Sequence, residues 1–344
     1  MAEFPQVLTF EAGDETDAAR DLVDRLGSVG VEAPFVVASA HGEKLTSALH
    51  SRAEVVPPKT ADVGWAADLG STVKRSGASC VVAVGGGRVL DLAKLAAARA
   101  GMTVVAVPTQ LSHDGICSPV AVVPDESGVT QSLGAIAPRV VYLSLPTLRS
   151  APVATVRAGL GDLIANPLAL RDWSLAIEHG LSEPNQEAWD LSVESFERIE
   201  PYLDSDARHN ENNLEFLHTL ADALVLSGKA MICSGNSRPA SGAEHEISHA
   251  LDYMFQGRAL HGAQVAFGSI FSIALYGGDV PAFRERLARL GLPHHYRQLL
   301  LSENDVVRLL LAAPDTRPGR FTVLEDANLD ESSAVKLVHS IWTH

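Results

Sequence analysis

The chain has 344 residues, 46% of them apolar and 20% charged, and its 27 Lys plus Arg against 42 Asp plus Glu give a formal net charge of −15. That composition is ordinary for a globular protein. The acidic balance disfavours a nucleic-acid scaffold, which needs a basic face, so any anionic ligand has to find local positive charge.

A length beyond the roughly 250 residues that one hydrophobic core serves predicts two domains with a cleft between them. The richest apolar stretch, Cys80 to Pro108, is interrupted by Arg88, Asp91, Lys94 and Arg99, so no membrane span and no membrane partner are expected. The start, MAEFPQVLTFEAGDETD, lacks a basic segment followed by an apolar block and predicts a cytoplasmic protein. Cys80, Cys117 and Cys233 are far apart and without CxxC spacing, which fits apolar fillers in a reducing compartment.

Up to residue 151 helical periodicity alternates with short β-branched runs. Strands are expected at Phe35 to Ala38, Val81 to Val84, Thr103 to Val107, Val120 to Val123 and Val140 to Leu143. Helices are expected at Asp17 to Leu26, Gly42 to His50, Thr60 to Lys74 and Arg88 to Ala100. This is the pattern of an open parallel α/β sheet, a Rossmann-like domain over residues 1–151. Pro124 to Gly128 reads as a hairpin loop joining two extended stretches. From 152 to 344 the strand signals vanish and an all-α domain is expected, with helices at Ala188 to Tyr202, Leu214 to Met231, Gly262 to Tyr276 and Pro281 to Leu290. Asp204 to Asn213 is polar enough to be a solvated connection.

Cys80 to Val84 runs into Gly85, Gly86 and Gly87 and then into a helical pattern. A strand, a glycine turn and a helix N-terminus make an anion site, because backbone N–H groups and the helix dipole both favour negative charge. The next strand ends in Pro108-Thr109-Gln110-Leu111-Ser112-His113-Asp114-Gly115, at the sheet edge where open α/β folds bind ligands. Ser39 ends an earlier strand where a nucleotide-binding sheet often carries an acid for the ribose; without that charge, NAD and NADP both stay open.

In the helical half, His245 and His249 stand four residues apart on one helical face. His245-Glu246-Ile247-Ser248-His249 matches HExxH, the pattern of a zinc metalloprotease, but no downstream extension follows and the α/β half would be left without a role. A competing set joins His245 with His261 and with Asp162, two imidazoles and one carboxylate that suit a divalent ion with an open position. Spacing alone leaves both open, beside a merely structural role.

Five segments in order, GGGRVLDLAK, PTQLSHDGICSP, AGLGDLIA with ALRDW, SRPASGAEHEISHALD and LHGAQVAFG, give the chain a likeness over most of its length. It resembles glycerol-1-phosphate dehydrogenases, within the superfamily of iron-type alcohol dehydrogenases, glycerol dehydrogenase and dehydroquinate synthase. The resemblance implies a nucleotide-binding domain, a helical domain and a catalytic metal in the cleft, most often zinc, with iron or nickel in some members. It assigns Asp162, His245 and His261 to the metal and His249 and Asp114 to the substrate and catalysis. Gly86, Gly87, Arg88, Val89, Leu90, Asp91, Thr109, Gln110, Leu111, Ser112 and Ser118 would line NAD or NADP, and Glu246 would be solvated or structural. Related enzymes are often homo-oligomers.

The activity so implied is metal-dependent NAD(P)H reduction of dihydroxyacetone phosphate, or a similar phosphorylated or polyol ketone, to sn-glycerol 1-phosphate. A three-ligand metal polarises the ketone oxygen while the nicotinamide delivers hydride. Alternatives are a dehydroquinate-synthase-like cyclase, the HExxH protease and a catalytically dead nucleotide-binding module. Arg238 is the expected contact for a substrate phosphate. Two segments depart from related sequences: Asn166 before Pro167 where a lysine is usual, and Gln110 with Leu111 where small residues are usual. If that lysine holds a phosphate, the substrate is a different ketone.

Overall fold

Val81–Gly85, Val104–Pro108 and Val140–Ser144 are buried along their whole length, which a parallel sheet covered by helices on both faces requires. The computed structural model describes residues 3–204 and 213–342, so the expected connection Asp204 to Asn213 lies mostly outside the described residues. The six strands β1 (Gln6–Phe10), β2 (Phe35–Ala38), β3 (Ala53–Val55), β4 (Val81–Gly85), β5 (Val104–Pro108) and β8 (Val140–Ser144) line up as β1-β8-β5-β4-β2-β3. Every neighbouring pair is parallel. β6 (Val120–Pro124) and β7 (Thr130–Gly134) form a separate antiparallel hairpin.

Helix α1 (Glu15–Ser28) lays Leu22 and Leu26 on one face of the sheet, against Val82, Val84 and Tyr142. After the short α2 (Glu43–Thr46), α3 (Val63–Ser76) and α4 (Gly87–Ala100) cover the other face through Leu69, Val73, Leu90 and Ala93. The expected helix Gly42 to His50 is shorter than its periodicity implies. Gly42 lies against β4, where a Cβ would be 2.8 Å from Val84 Cγ1, and the chain turns away at Ser47. β1 and β3 go beyond the expected strands; both are edge strands with half-exposed residues and no two-residue alternation to reveal them.

Among the described residues no strand follows β8. The chain continues as α5 (Leu145–Arg149), α6 (Val153–Ile164), α7 (Asn166–Glu178), α8 (Gln186–Leu203), α9 (Leu214–Ser234), α10 (Ala243–Phe255), α11 (His261–Leu275), α12 (Val280–Arg289), α13 (Glu303–Ala312), α14 (Val323–Ala327) and α15 (Glu331–Trp342). The architecture is an N-terminal α/β domain followed by a helical one. By length and composition α9 could cross a membrane. Its Phe216, Leu217, Leu220 and Leu224 are instead buried in the core, as in the central helix of a bundle.

Two helix crossings fix the site. α6 ends at Ile164, and Pro167 starts α7 in the first turn, where its missing N–H does no harm. α6 and α11 meet backbone to backbone: a Cβ on Gly262 would lie 1.9 Å from Ala158 O, and one on Gly161 would lie 2.3 Å from Gly262 O. Only glycine permits that approach, and it sets Asp162 of α6 beside His261 at the start of α11.

Candidate active site

Asp162, His245 and His261 each turn one donor atom to a common point, all within 4.8 Å of one another. Asp162 Oδ1 lies 3.7 Å from His245 Nε2 and 3.8 Å from His261 Nε2. That oxygen is buried and has no hydrogen-bond partner, although an orphaned buried carboxylate oxygen is costly. Its twin, Oδ2, accepts from Asp114 N at 2.9 Å. A divalent cation at the shared point would satisfy the orphan, so the donor set fits a metal.

The surrounding groups orient the imidazoles as they do around metal ligands. His245 Nδ1 lies 2.9 Å from Glu244 Oε1, which also accepts from Gly242 N at 2.6 Å. His261 Nδ1 is 3.3 Å from Ser248 Oγ. Gln264 Nε2 reaches the same hydroxyl at 3.3 Å and Asp252 Oδ1 at 2.9 Å. Asp172 anchors the start of α10: its Oδ2 accepts from Ala243 N at 2.7 Å, and its Oδ1 from Tyr276 Oη at 2.6 Å and Val323 N at 2.8 Å.

The electrostatics follow from burial and from this crowding. Burial works against a charge on His245, but Asp162 and Glu244 outweigh it and hold the imidazole up at about 9. Burial and the neighbouring His245 push His261 down to about 3. Burial opposes ionisation of Asp162 as well, yet the imidazoles of His245 and His261 keep it below the usual carboxylate value. Burial and the Asp162 charge raise Asp114 to about 7.

A cavity of about 240 Å³ opens onto His245 and His261, lined also by His113, Asp114, His249, Ser237, Ser241 and Arg317, with Asp162 buried behind the two imidazoles. His249 is buried, its ring centre 6.2 Å from that of His261. Burial and Arg317 hold it well below the ordinary histidine value, hence neutral. Ser227 Oγ donates to Asp114 Oδ2 at 2.8 Å, and Asn166 Nδ2 donates to Ser227 and Ser195. Asn166 is thus buried in a network behind Asp114 and does not line the cavity.

The residues expected along the dinucleotide are split by the fold. Arg88, Asp91 and Ser118 line the cavity. Gly86 and Gly87 open α4 at the carboxyl end of β4; Gln110 lies over Gly86 and His113 over Gly87, where a Cβ would come within 2.4 and 2.0 Å of them. Thr109 N bonds to Gly85 O, and Ser112 is buried next to Gly262. Val89 is half-buried and packs on the core. Leu90 and Leu111 are core side chains, each 1% exposed, and Leu90 N donates to Gly86 O while Leu111 O packs against Gly159.

Sequence reasoning passed over three features. Lys94, 1% exposed, pairs with Asp91 Oδ1 at 2.8 Å and donates to the carbonyls of Gly115, Ser118 and Val120, tying the segment 115–120 to α4. A lysine inside an otherwise apolar helix face was the available signal. Glu244 is hidden beside the louder His245. Arg317 and Arg320, in a Pro-Gly loop of an acidic chain, were legible only as charge. Arg238, the expected phosphate contact, donates to Phe321 O and lines the adjoining cavity instead.

The HExxH reading needs Glu246 to face a metal held by His245 and His249. Glu246 is fully buried on the far side and accepts from Thr322 Oγ1 at 3.0 Å. It is structural, not solvated, and His249 is outside the donor cluster.

Comparison with known proteins identifies the family. A family model described as iron-containing alcohol dehydrogenase matches residues 20–152. The glycerol-1-phosphate dehydrogenase (NAD(P)+) of Hyperthermus butylicus is 36% identical over 343 residues, covering 97% of this chain and 96% of that protein. The chain belongs to the glycerol-1-phosphate dehydrogenase family. A second member, from Methanoculleus marisnigri, is 40% identical over 267 residues, 77% of this chain and 72% of its own. Among solved structures, glycerol dehydrogenase from Schizosaccharomyces pombe superposes with a TM-score of 0.80 at 16% identity, covering all of this chain and 90% of that one. That likeness shows the family fold, an α/β domain joined to a helical one.

Proposed function

We infer that this chain reduces dihydroxyacetone phosphate, or a close analogue, to sn-glycerol 1-phosphate with NADH or NADPH, at a divalent ion held by Asp162, His245 and His261. The observation that carries the reading is the orphaned Asp162 Oδ1 facing two imidazole nitrogens, whose histidines line a cavity that also borders α4 after the glycine turn. Two nitrogens and one carboxylate oxygen favour zinc, with iron or nickel as alternatives. Ser39, with an unpartnered hydroxyl at the end of β2 and no carboxylate, supports acceptance of both dinucleotides.

When bound, the ion supplies Lewis acidity to the ketone oxygen and the reduced nicotinamide supplies the hydride. The chain's own residues do the rest. Glu244 and Ser248 hold the two imidazoles with Nε2 turned to the cavity. Neutral His249 offers a ring nitrogen to a substrate hydroxyl, and Asp114, fixed by Ser227, can hold or release a proton near neutral pH. Arg317, which shares the cavity with Arg88 of α4, is our candidate for the phosphate. The α6–α11 glycine contact keeps these groups in register.

The test is to mix purified protein, ketone and NADH or NADPH with and without a strong chelator, following nicotinamide absorbance. Chelator-sensitive oxidation with dihydroxyacetone phosphate is expected. No such oxidation with any small phosphorylated or polyol ketone sinks the reading, and metal plus nucleotide binding without turnover favours a binding module.

A further inference from the structure

Beside the inner cavity lies a larger one of about 890 Å³, between the β6–β7 hairpin and the loop after α13. The two share Thr130, Ser132, His249 and Arg317, so the larger cavity is the vestibule of the smaller. Three guanidiniums line it, Arg238, Arg317 and Arg320, with Asp315 the acid on its wall. All three bond to neutral groups: Arg317 to Ser241 and Ser237 hydroxyls, Arg320 to Ser237 Oγ and Ser241 O, Arg238 to Phe321 O. Among the described residues none forms an ion pair with a carboxylate. Each guanidinium has five N–H donors, and these bonds use two, two and one of them.

Three half-buried cations with no ion pair among the described residues are an unusual arrangement in a chain of net charge −15; buried Glu246 and Glu244 attract Arg317 and Arg320, and Glu246, Asp172 and Glu325 attract Arg238, without touching them. Burial together with repulsion from Arg317 and Arg238 drives Arg320 down to about 9. Glu246, the acid behind them, is fully buried and bonded to Thr322. An anion in the vestibule would relieve the repulsion and occupy the spare donors, and planar guanidiniums match phosphate oxygens.

We propose that the vestibule is an outer anion site for phosphomonoester dianions, which captures a phosphorylated ketone at Arg238 and Arg320 and passes it across Arg317 to the inner cavity. A dianion approaching this acidic protein is otherwise repelled, and a cationic cleft with low-dielectric walls raises its local concentration and on-rate. Selection of phosphorylated over neutral ketones is then set at the mouth as well as at the metal. The proposal rests on the inner cavity being the site of ketone reduction.

The test uses Arg238→Gln, chosen because this guanidinium makes a single bond and its loss threatens the fold least; a melting curve checks that it folds. Inorganic phosphate is titrated calorimetrically into both proteins, and kcat/KM is measured for dihydroxyacetone phosphate and for neutral dihydroxyacetone at low and high salt. Expected are phosphate affinity weakened about tenfold, a kcat/KM loss about tenfold greater for the phosphorylated ketone than for the neutral one, a flatter salt dependence, and partial recovery in Arg238→Lys. Phosphate affinity unchanged, or the two ketones affected equally, overturns the proposal. The calorimetry needs no turnover, so an inactive wild type that still loses phosphate affinity on substitution sinks the reductase reading and leaves the anion site standing.

Discussion

Gly262→Ala tests the claim that backbone contact between α6 and α11 builds the donor cluster. The new Cβ would lie 1.9 Å from Ala158 O, against a floor of 3.0 Å for real Cβ contacts, so one helix must retreat by at least 1.1 Å. The obstacle is a backbone carbonyl, not a flexible side chain, and cannot swing away. His261 is the preceding residue and moves with α11, pulling its Nε2 off the point it shares with Asp162 and His245. A displacement of about 1 Å at a reacting centre lowers turnover by about a hundredfold, and overpacking of this kind destabilises by about 1–3 kcal/mol. The assay is elemental analysis after dialysis, kcat/KM with dihydroxyacetone phosphate, and a melting curve on the same sample. A folded variant that keeps a full metal complement and a kcat/KM within threefold of wild type refutes the reasoning.

Glu244→Gln removes the carboxylate behind His245 while keeping its shape, and metal affinity is expected to fall by about 10- to 100-fold in a chelator competition; unchanged affinity would make Glu244 a helix-start residue only. Glu246 carries a pH dependence: burial and the neighbouring Glu325 carboxylate raise it from 4.5 to about 9, so between those values the folded chain holds a proton that the unfolded chain has lost. Stability from this group therefore declines as pH rises through that window. Glu246→Gln should flatten the decline and leave the variant at least as stable as wild type at about pH 8.5; urea midpoints that fall in parallel for both proteins would exclude the assignment.

Much of the architecture is legible because hydrophobic period reports burial. Val81–Gly85 and Val140–Ser144 are continuous apolar runs because both of their faces are covered. Edge strands such as Ala53–Val55 leave no such trace, since they are short and half-exposed and owe their conformation to a neighbour. The shortened helix after Gly42 fails for a related reason: its period is local, whereas the wall it meets belongs to β4.

The sequence by itself determined which chemistry was available: glycines after a strand, an aspartate in AGLGDLIA, two histidines a helical turn apart and a third opening the next helix. It could not choose between His249 and His261 as partner of His245, because spacing along one helix favours the first and only a helix crossing delivers the second. Tertiary structure made that choice through Gly161 and Gly262, which let two backbones touch. It also buried Glu246, set Asn166 behind Asp114, and gathered Arg238, Arg317 and Arg320 around one opening. Residues distant along the chain share a site only when packing closes the loops between them, and the density of that packing is a property of the folded whole.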